Sequence, residues 1–161
     1  GFAFAAETLV GQAVGARALD QARRAGRLAM GWGVAGGVVL AVVFALAGPW
    51  IIDLMTTAPD VRLEARHFLI WVVAAPVIGV FAWIYDGIFI GATLTAQMRR
   101  TMLLSACIYA LALAVLVPVL GNHGLWAALM VFFAARGVTM WRAYPALATR
   151  IASAPQQAER L

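Results

Sequence analysis

The sequence predicts an all-α fold, a polytopic transmembrane helix bundle, and three observations carry that prediction. Hydrophobic residues make up 64% of the 161 residues and charged residues only 12%, where an ordinary soluble domain has roughly 45–50% and 25%. Mean hydropathy is +0.89. The charges are gathered into short clusters between long uncharged runs. A soluble globule of this size lacks the polar surface to cover so much apolar material, which excludes a soluble enzyme, a disordered chain and a coiled coil. Strands are excluded because the runs far exceed the roughly ten residues of a barrel strand.

The first apolar segment, Gly1 to about Val14, is too short to span a bilayer. It reads as the latter part of a helix, over about residues 1–16. The chain begins without Met or a basic leader, so it does not resemble a signal peptide and reads as the interior of a longer protein. Leu28 to Ile52 has no charge; as a helix it covers about 37 Å, more than the roughly 30 Å hydrocarbon core. The expected span is about 27–52, with Pro49 and Trp50 at its far end. Thr56-Thr57-Ala58-Pro59-Asp60 reads as a turn, with Asp60 as the N-cap of the next helix and Glu64 near its first turn. From Phe68 to Met98 the one charge is Asp86. That run is expected as a helix over about 62–97, kinked at Pro76 and closed by Arg99-Arg100. A fourth element is expected over about 100–120, Asn122-His123-Gly124 as a tight loop, and a last helix over about 124–147. Residues 1–150 thus form one helical unit, and 151–161 a polar tail.

All twelve basic residues are arginine, against seven acidic residues, for a net charge of +5. Their short clusters between apolar runs argue against a nucleic-acid partner. Arg17, Arg23, Arg24 and Arg27 precede the second helix, Arg99 and Arg100 separate the third and fourth, and Arg142, Arg150 and Arg160 follow the fifth. A chain that crosses at each helix puts all of these on one side. The positive-inside rule names that side cytoplasmic, the C-terminal tail included. Arg62 and Arg66 fall on the other side, offset by Asp53, Asp60 and Glu64.

Asp86 is the most informative residue. A carboxylate midway along a membrane span costs about 2.5–3.5 kcal/mol, so it is by default a functional-site candidate facing the bundle interior. Low dielectric favours a neutral carboxyl, which suits uptake and release of a proton; a carboxylate also ligates Na⁺. The bland alternative is a structural hydrogen bond to a neighbouring helix. Trp83 and Thr93 share the Asp86 face at helical spacing and Tyr85 adjoins it. Trp83 and Tyr85 read either as walls of a pocket for a flat organic cation or as packing and lipid contacts. Glu7 reads either as a second polar site in the same cavity or as a residue reaching a watery vestibule. Gly11/Gly15, Gly33/Gly37 and Gly87/Gly91 are small-xxx-small pairs that permit close helix approach. Gly33 and Gly37 read as packing positions, and Gly87 and Gly91 as packing positions beside Asp86 that also permit bending.

Arg136, near the end of the last span, is expected to snorkel to the headgroups. His67 and His123 read as interfacial anchors, neither with a metal-ligand partner at helical spacing. The lone Cys107 reads as core packing and excludes an internal disulfide and a cysteine metal site. No nucleophile-elbow, phosphate-loop or zinc-protease pattern occurs. No enzymatic chemistry, resident metal or cofactor is therefore expected.

Three stretches in register, AAETLVGQAVGARALDQARRAGR (Ala5–Arg27), WIYDGIFIGATLTAQMRRTM (Trp83–Met102) and HGLWAALMVFFAARG (His123–Gly137), resemble the C-terminal half of multidrug and toxin extrusion (MATE) transporters, in their DinF-like branch. The resemblance covers almost the whole chain. It implies a twelve-helix antiporter of two lobes around a central cavity, with this chain as the end of the eighth helix and the ninth to twelfth. It implies export of organic cations or other amphipathic compounds in exchange for H⁺ or Na⁺ across a bacterial inner membrane. Membrane lipid, a small-molecule substrate and an N-terminal lobe are the implied partners. In one branch of the family an Asp on the tenth helix belongs to a cation site, and Asp86 occupies the equivalent helix and motif. In DinF-like members the coupling site is assigned instead to an Asp on the first helix. A lipid-linked precursor flippase of the same superfamily and a non-transporting membrane scaffold are the alternatives; scarce intramembrane arginine counts against the flippase.

Overall fold

A computed structural model describes residues 1–152 as six helices. They are α1 (Phe2–Gly15), α2 (Leu19–Met55), α3 (Pro59–Gly91), α4 (Thr95–Leu120), α5 (Asn122–Ala143) and α6 (Ala146–Ala152). Four of them, α2 to α5, are long and apolar enough to cross a membrane. α3 is the central element: α1, α2 and α5 all pack on it, and α4 joins the bundle mainly through α5. The core lies where these helices meet, around Ala6, Val10, Ile84, Ile88, Phe89 and Met140. Large apolar side chains such as Leu46, Trp50, Leu111 and Val119 point outward, as expected where lipid is the solvent.

Several helix ends differ from the expected ones, each for a physical reason. α2 starts at Leu19, eight residues before the expected boundary. Ala22, Gly26, Ala29 and Gly33 form its buried stripe, so helical packing continues through the arginine cluster. Hydropathy marks where a bilayer would begin, not where a helix does. The expected 62–97 helix ends at Gly91, and Arg99-Arg100 lie inside α4 rather than between helices. Hydropathy does not mark this turn, because its flanking residues Ala92 and Leu94 are apolar and are 0% and 4% exposed. Asp60 is not the cap of α3; Ala58 holds that position with Pro59 in the first turn, where a missing N–H costs nothing. Asn122-His123-Gly124 is not a loop but the first turn of α5, the chain reversing at Gly121 with φ +56°. The last helix stops at Ala143, and α6 carries the chain on to Ala152 with Leu147 and Ile151 buried. The expected tail therefore begins as helix, and residues 153–161 lie outside the described residues. Cys107 is exposed on α4, not in the core, because α4 buries only its polar stripe of Thr101 and Ser105.

The chain contains an internal repeat. The pattern Gly-x3-Gly-Ala-x4-Gln-x-Arg-Arg runs from Gly11 to Arg24 and again, 76 residues later, from Gly87 to Arg100. The two copies share one turn conformation: Arg17 has φ +57° and Thr93 φ +55°. They share its hydrogen bonds too. The Ala16, Arg17 and Ala18 amides donate to Gln12, Val14 and Ala13, as Ala92, Thr93 and Leu94 donate to Ile88, Ile90 and Phe89. This crossed pattern closes a helix C-terminus. The copies also meet in space. Gly87 lies against the Ala3 carbonyl, Gly91 against the Glu7 carbonyl, and a β-carbon on Gly11 would meet the Gly91 carbonyl at 3.4 Å.

On the α2–α3 seam, a β-carbon on Gly33 would approach Ile84 to 2.9 Å and one on Gly37 the Pro76 carbonyl to 2.9 Å. Backbone atoms cannot step aside as side-chain ends can. Gly87→Ala should therefore lower the stability of the complete protein by about 1–3 kcal/mol through overpacking. Gly31→Ala, with nothing within 4 Å, should be neutral or stabilising through helix propensity. Thermal unfolding of the two variants in detergent checks the contrast.

Candidate functional site

The site is built where α3 and α5 cross. Asp86 presents its carboxylate to α5, and Arg136 answers from about two turns before that helix ends at Ala143. The Arg136 guanidinium donates from Nη2 to Asp86 Oδ1 at 2.5 Å and from Nε to Oδ2 at 3.3 Å, a two-point grip. Its remaining nitrogen, Nη1, donates to Met102 Sδ on α4 at 2.9 Å. The side chains are 11% and 28% exposed. Arg136 therefore does not snorkel to the headgroups. A carboxylate fifty residues away in sequence, one helix over, is a better partner than distant solvent, and pairing removes the larger penalty of two separate buried charges.

A line of hydroxyls continues the polar seam between α4 and α5. Ser105 donates to the Thr101 carbonyl at 2.8 Å and lies 3.3 Å from Thr139 Oγ1, which itself donates to the Arg136 carbonyl at 3.0 Å. Among the described residues, no buried side-chain nitrogen or oxygen lacks a partner. The seam is thus complete, which is the condition for a buried polar network to hold helices together.

The other expected site residues are dispersed. Glu7 reaches α3 through its backbone carbonyl, against Gly91, while the Asp86 carboxylate is taken by Arg136. Trp83 folds back over Gly79 and meets the Phe133 ring edge-on at 5.7 Å. It borders a cavity of about 530 Å³ toward Gly33, Gly37 and Pro76. Tyr85 faces a different cavity of about 580 Å³, with Met30, Phe81, Gly137 and Trp141, and packs on Tyr144. The two aromatics do not form one pocket, and Asp86 lines neither cavity. Thr93 is off the helix altogether. α3 ends two residues earlier, so the spacing argument that put Thr93 on the Asp86 face fails; its hydroxyl accepts from Arg150 at 3.0 and 3.2 Å, tying α6 to the α3–α4 turn.

At the arginine-rich end, Arg23, Arg24 and Arg27 surround Tyr144 together with Asp20. Burial pushes the Tyr144 hydroxyl up, and the Arg23 and Arg27 charges pull it the other way. At the opposite end, Asp53 holds the α2–α3 turn. Its carboxylate accepts from Arg66 at 2.6 and 2.7 Å, and Arg62 donates to the Thr56 and Asp53 carbonyls at 2.7 and 2.9 Å. The same end brings His67 and His123 together, Nε2 to Nε2 at 2.8 Å, although they are far apart in sequence. Sequence spacing carried no signal for that pair, nor for Arg136 with Asp86. Among the described residues, no group of three or more His, Cys, Asp or Glu gathers to hold a metal.

Comparison with known proteins agrees with this architecture. The MatE family model matches residues 1–118. The chain is 43% identical over 145 residues to the DNA damage-inducible protein F of Escherichia coli (strain K12), covering 88% of this chain and 31% of that relative. The chain thus spans about a third of the relative's length. No solved structure matches.

Arg136→Met should strand the Asp86 carboxylate and destabilise the complete protein by about 3 kcal/mol. Asp86→Asn combined with Arg136→Gln should cost less than the sum of the two single changes, because neither charge is left alone. Unfolding of the four proteins of this cycle in detergent checks the coupling.

Proposed function

Since the chain belongs to the MatE family, a family of membrane transporters and not of enzymes, we propose that the complete protein is a secondary active antiporter that exports organic cations or other amphipathic compounds in exchange for H⁺ or Na⁺. The supporting observation is the Asp86–Arg136 pair inside a membrane span. An ion pair at that depth is expensive to keep, and it offers one carboxylate to competing cations. Arg136 acts as a tethered cation that fills Asp86 when no other does. A proton, Na⁺ or an organic cation that reaches the carboxylate displaces the guanidinium, and the freed arginine must move or be solvated. That difference between paired and unpaired states is what lets an ion bias one cavity orientation over another, since a ligand shifts a conformational equilibrium only by its differential affinity.

In this reading the protein is multi-pass in a bacterial inner membrane, with the arginine-rich ends and the C-terminus on the cytoplasmic side. A lipid-linked precursor flippase needs a cation left over for the anionic phosphate. Arg136 lies within an apolar span, against the expected scarcity, but Asp86 neutralises it, which favours the antiporter.

Efflux of a fluorescent organic cation from proteoliposomes holding the complete protein, under a pH gradient and a Na⁺ gradient in turn, tests the proposal. Wild type should respond to at least one gradient, and Asp86→Asn should lose that response. A wild-type rate in Asp86→Asn moves coupling outside this chain. Arg136→Gln should lower both KM and kcat, since removal of the internal competitor strengthens cation binding and slows release.

A further inference from the structure

We infer that His67 and His123 form a proton-binding site at the end of the bundle opposite the arginine clusters, and that loading it releases the start of α5 from α3. The inference begins with Trp71. An indole N–H is a donor only, and Trp71 Nε1 lies 2.9 Å from His123 Nδ1. Nδ1 is therefore the acceptor, and neutral His123 carries its hydrogen on Nε2. That hydrogen points at His67 Nε2, 2.8 Å away, so neutral His67 carries its own on Nδ1. One donor-only tryptophan thus sets both tautomers in a chain that runs Trp71, His123, His67.

This arrangement cannot take up a proton without breaking the chain. A second hydrogen on His123 would face the Trp71 N–H, and one on His67 would face the His123 N–H. Either event replaces a hydrogen bond with two opposed donors at under 3 Å. The surrounding charges are Glu64 and Arg66 on α3, the latter engaged by Asp53 at the end of α2. Asn122 comes from α5, and Phe68 packs on His123 with ring centroids 4.7 Å apart. Glu64 borders the same open cavity of about 630 Å³ and attracts the imidazolium once it forms. The contact is present while both rings are neutral and is lost when either ring gains a proton, which replaces an acceptor with a second donor. His67 and Trp71 sit one turn apart on α3 and His123 in the first turn of α5. Losing the contact therefore separates those two helix ends.

The site stands apart from Asp86, and its test does not read transport. Spin labels on cysteines replacing Leu63 and Leu125, both exposed, report the α3–α5 distance in the complete protein in nanodiscs, with the native cysteines replaced. The distance should lengthen between pH 8 and pH 5. The double variant His67→Gln/His123→Gln keeps a donor–acceptor chain that does not titrate, so it should hold the short distance at both pH values. Trp71→Phe, which frees the His123 tautomer, should shift the transition midpoint. A wild-type distance that ignores pH, or a pH response that survives in the double glutamine variant, overturns the inference.

Discussion

The structure depends on one pairing between opposite charges in an apolar bundle. Asp86 and Arg136 sit on neighbouring helices, and neither is tolerable without the other. Their contact sets the rotation of α5 about α3, because a slip of one residue on either helix would carry a charge into lipid. Once α5 is registered in this way, Gly137 meets Phe81 and the hydroxyl seam of Ser105 and Thr139 aligns α4 behind it. An apolar interface packs in many nearly equivalent ways; a buried pair of charges has few. The pair thus specifies the arrangement more than it stabilises it.

On the other face of α3 the constraint is steric. Gly87 and Gly91 bring the α1 backbone against α3, and Gly33 and Gly37 bring in α2. Within a bilayer there is no hydrophobic force to press helices together, so close backbone contact and dispersion must do it. α3 is therefore held by glycine on one face and by charge on another, with α1, α2 and α5 packed on it and α4 in slight contact.

The membrane-spanning runs and the side on which the arginines gather were legible in the sequence, because both are averages over many residues. Asp86 was legible as an expensive residue in a bad place. Its partner was not. Arg136 lies near a predicted helix end, where local reasoning sends it to the headgroups; only the three-dimensional neighbour makes the interior better. The turn at Ala92–Leu94 escaped for the opposite reason, since every residue in it is compatible with a continuing apolar helix. Misplacing it carried Thr93 onto a face it does not occupy. The His67–His123 contact depends on how two hairpins align and leaves no trace in either segment alone. The Gly-x3-Gly-Ala-x4-Gln-x-Arg-Arg repeat, by contrast, lies wholly in the sequence, where a comparison of the chain with itself exposes it.

That repeat reaches beyond bookkeeping of ancestry. Arg17 and Thr93 occupy the same uncommon left-handed backbone state, closed by the same three amide bonds. The two turns are in mechanical terms a matched pair of joints, of one backbone geometry and closed by the same hydrogen bonds. Thr93 is branched at its β-carbon and is the more strained of the two, and it is also the one clamped by Arg150. A load that bends the α3–α4 joint must pull Arg150 off the Thr93 hydroxyl, so any movement of that turn is transmitted to α6 and to the chain that follows α5.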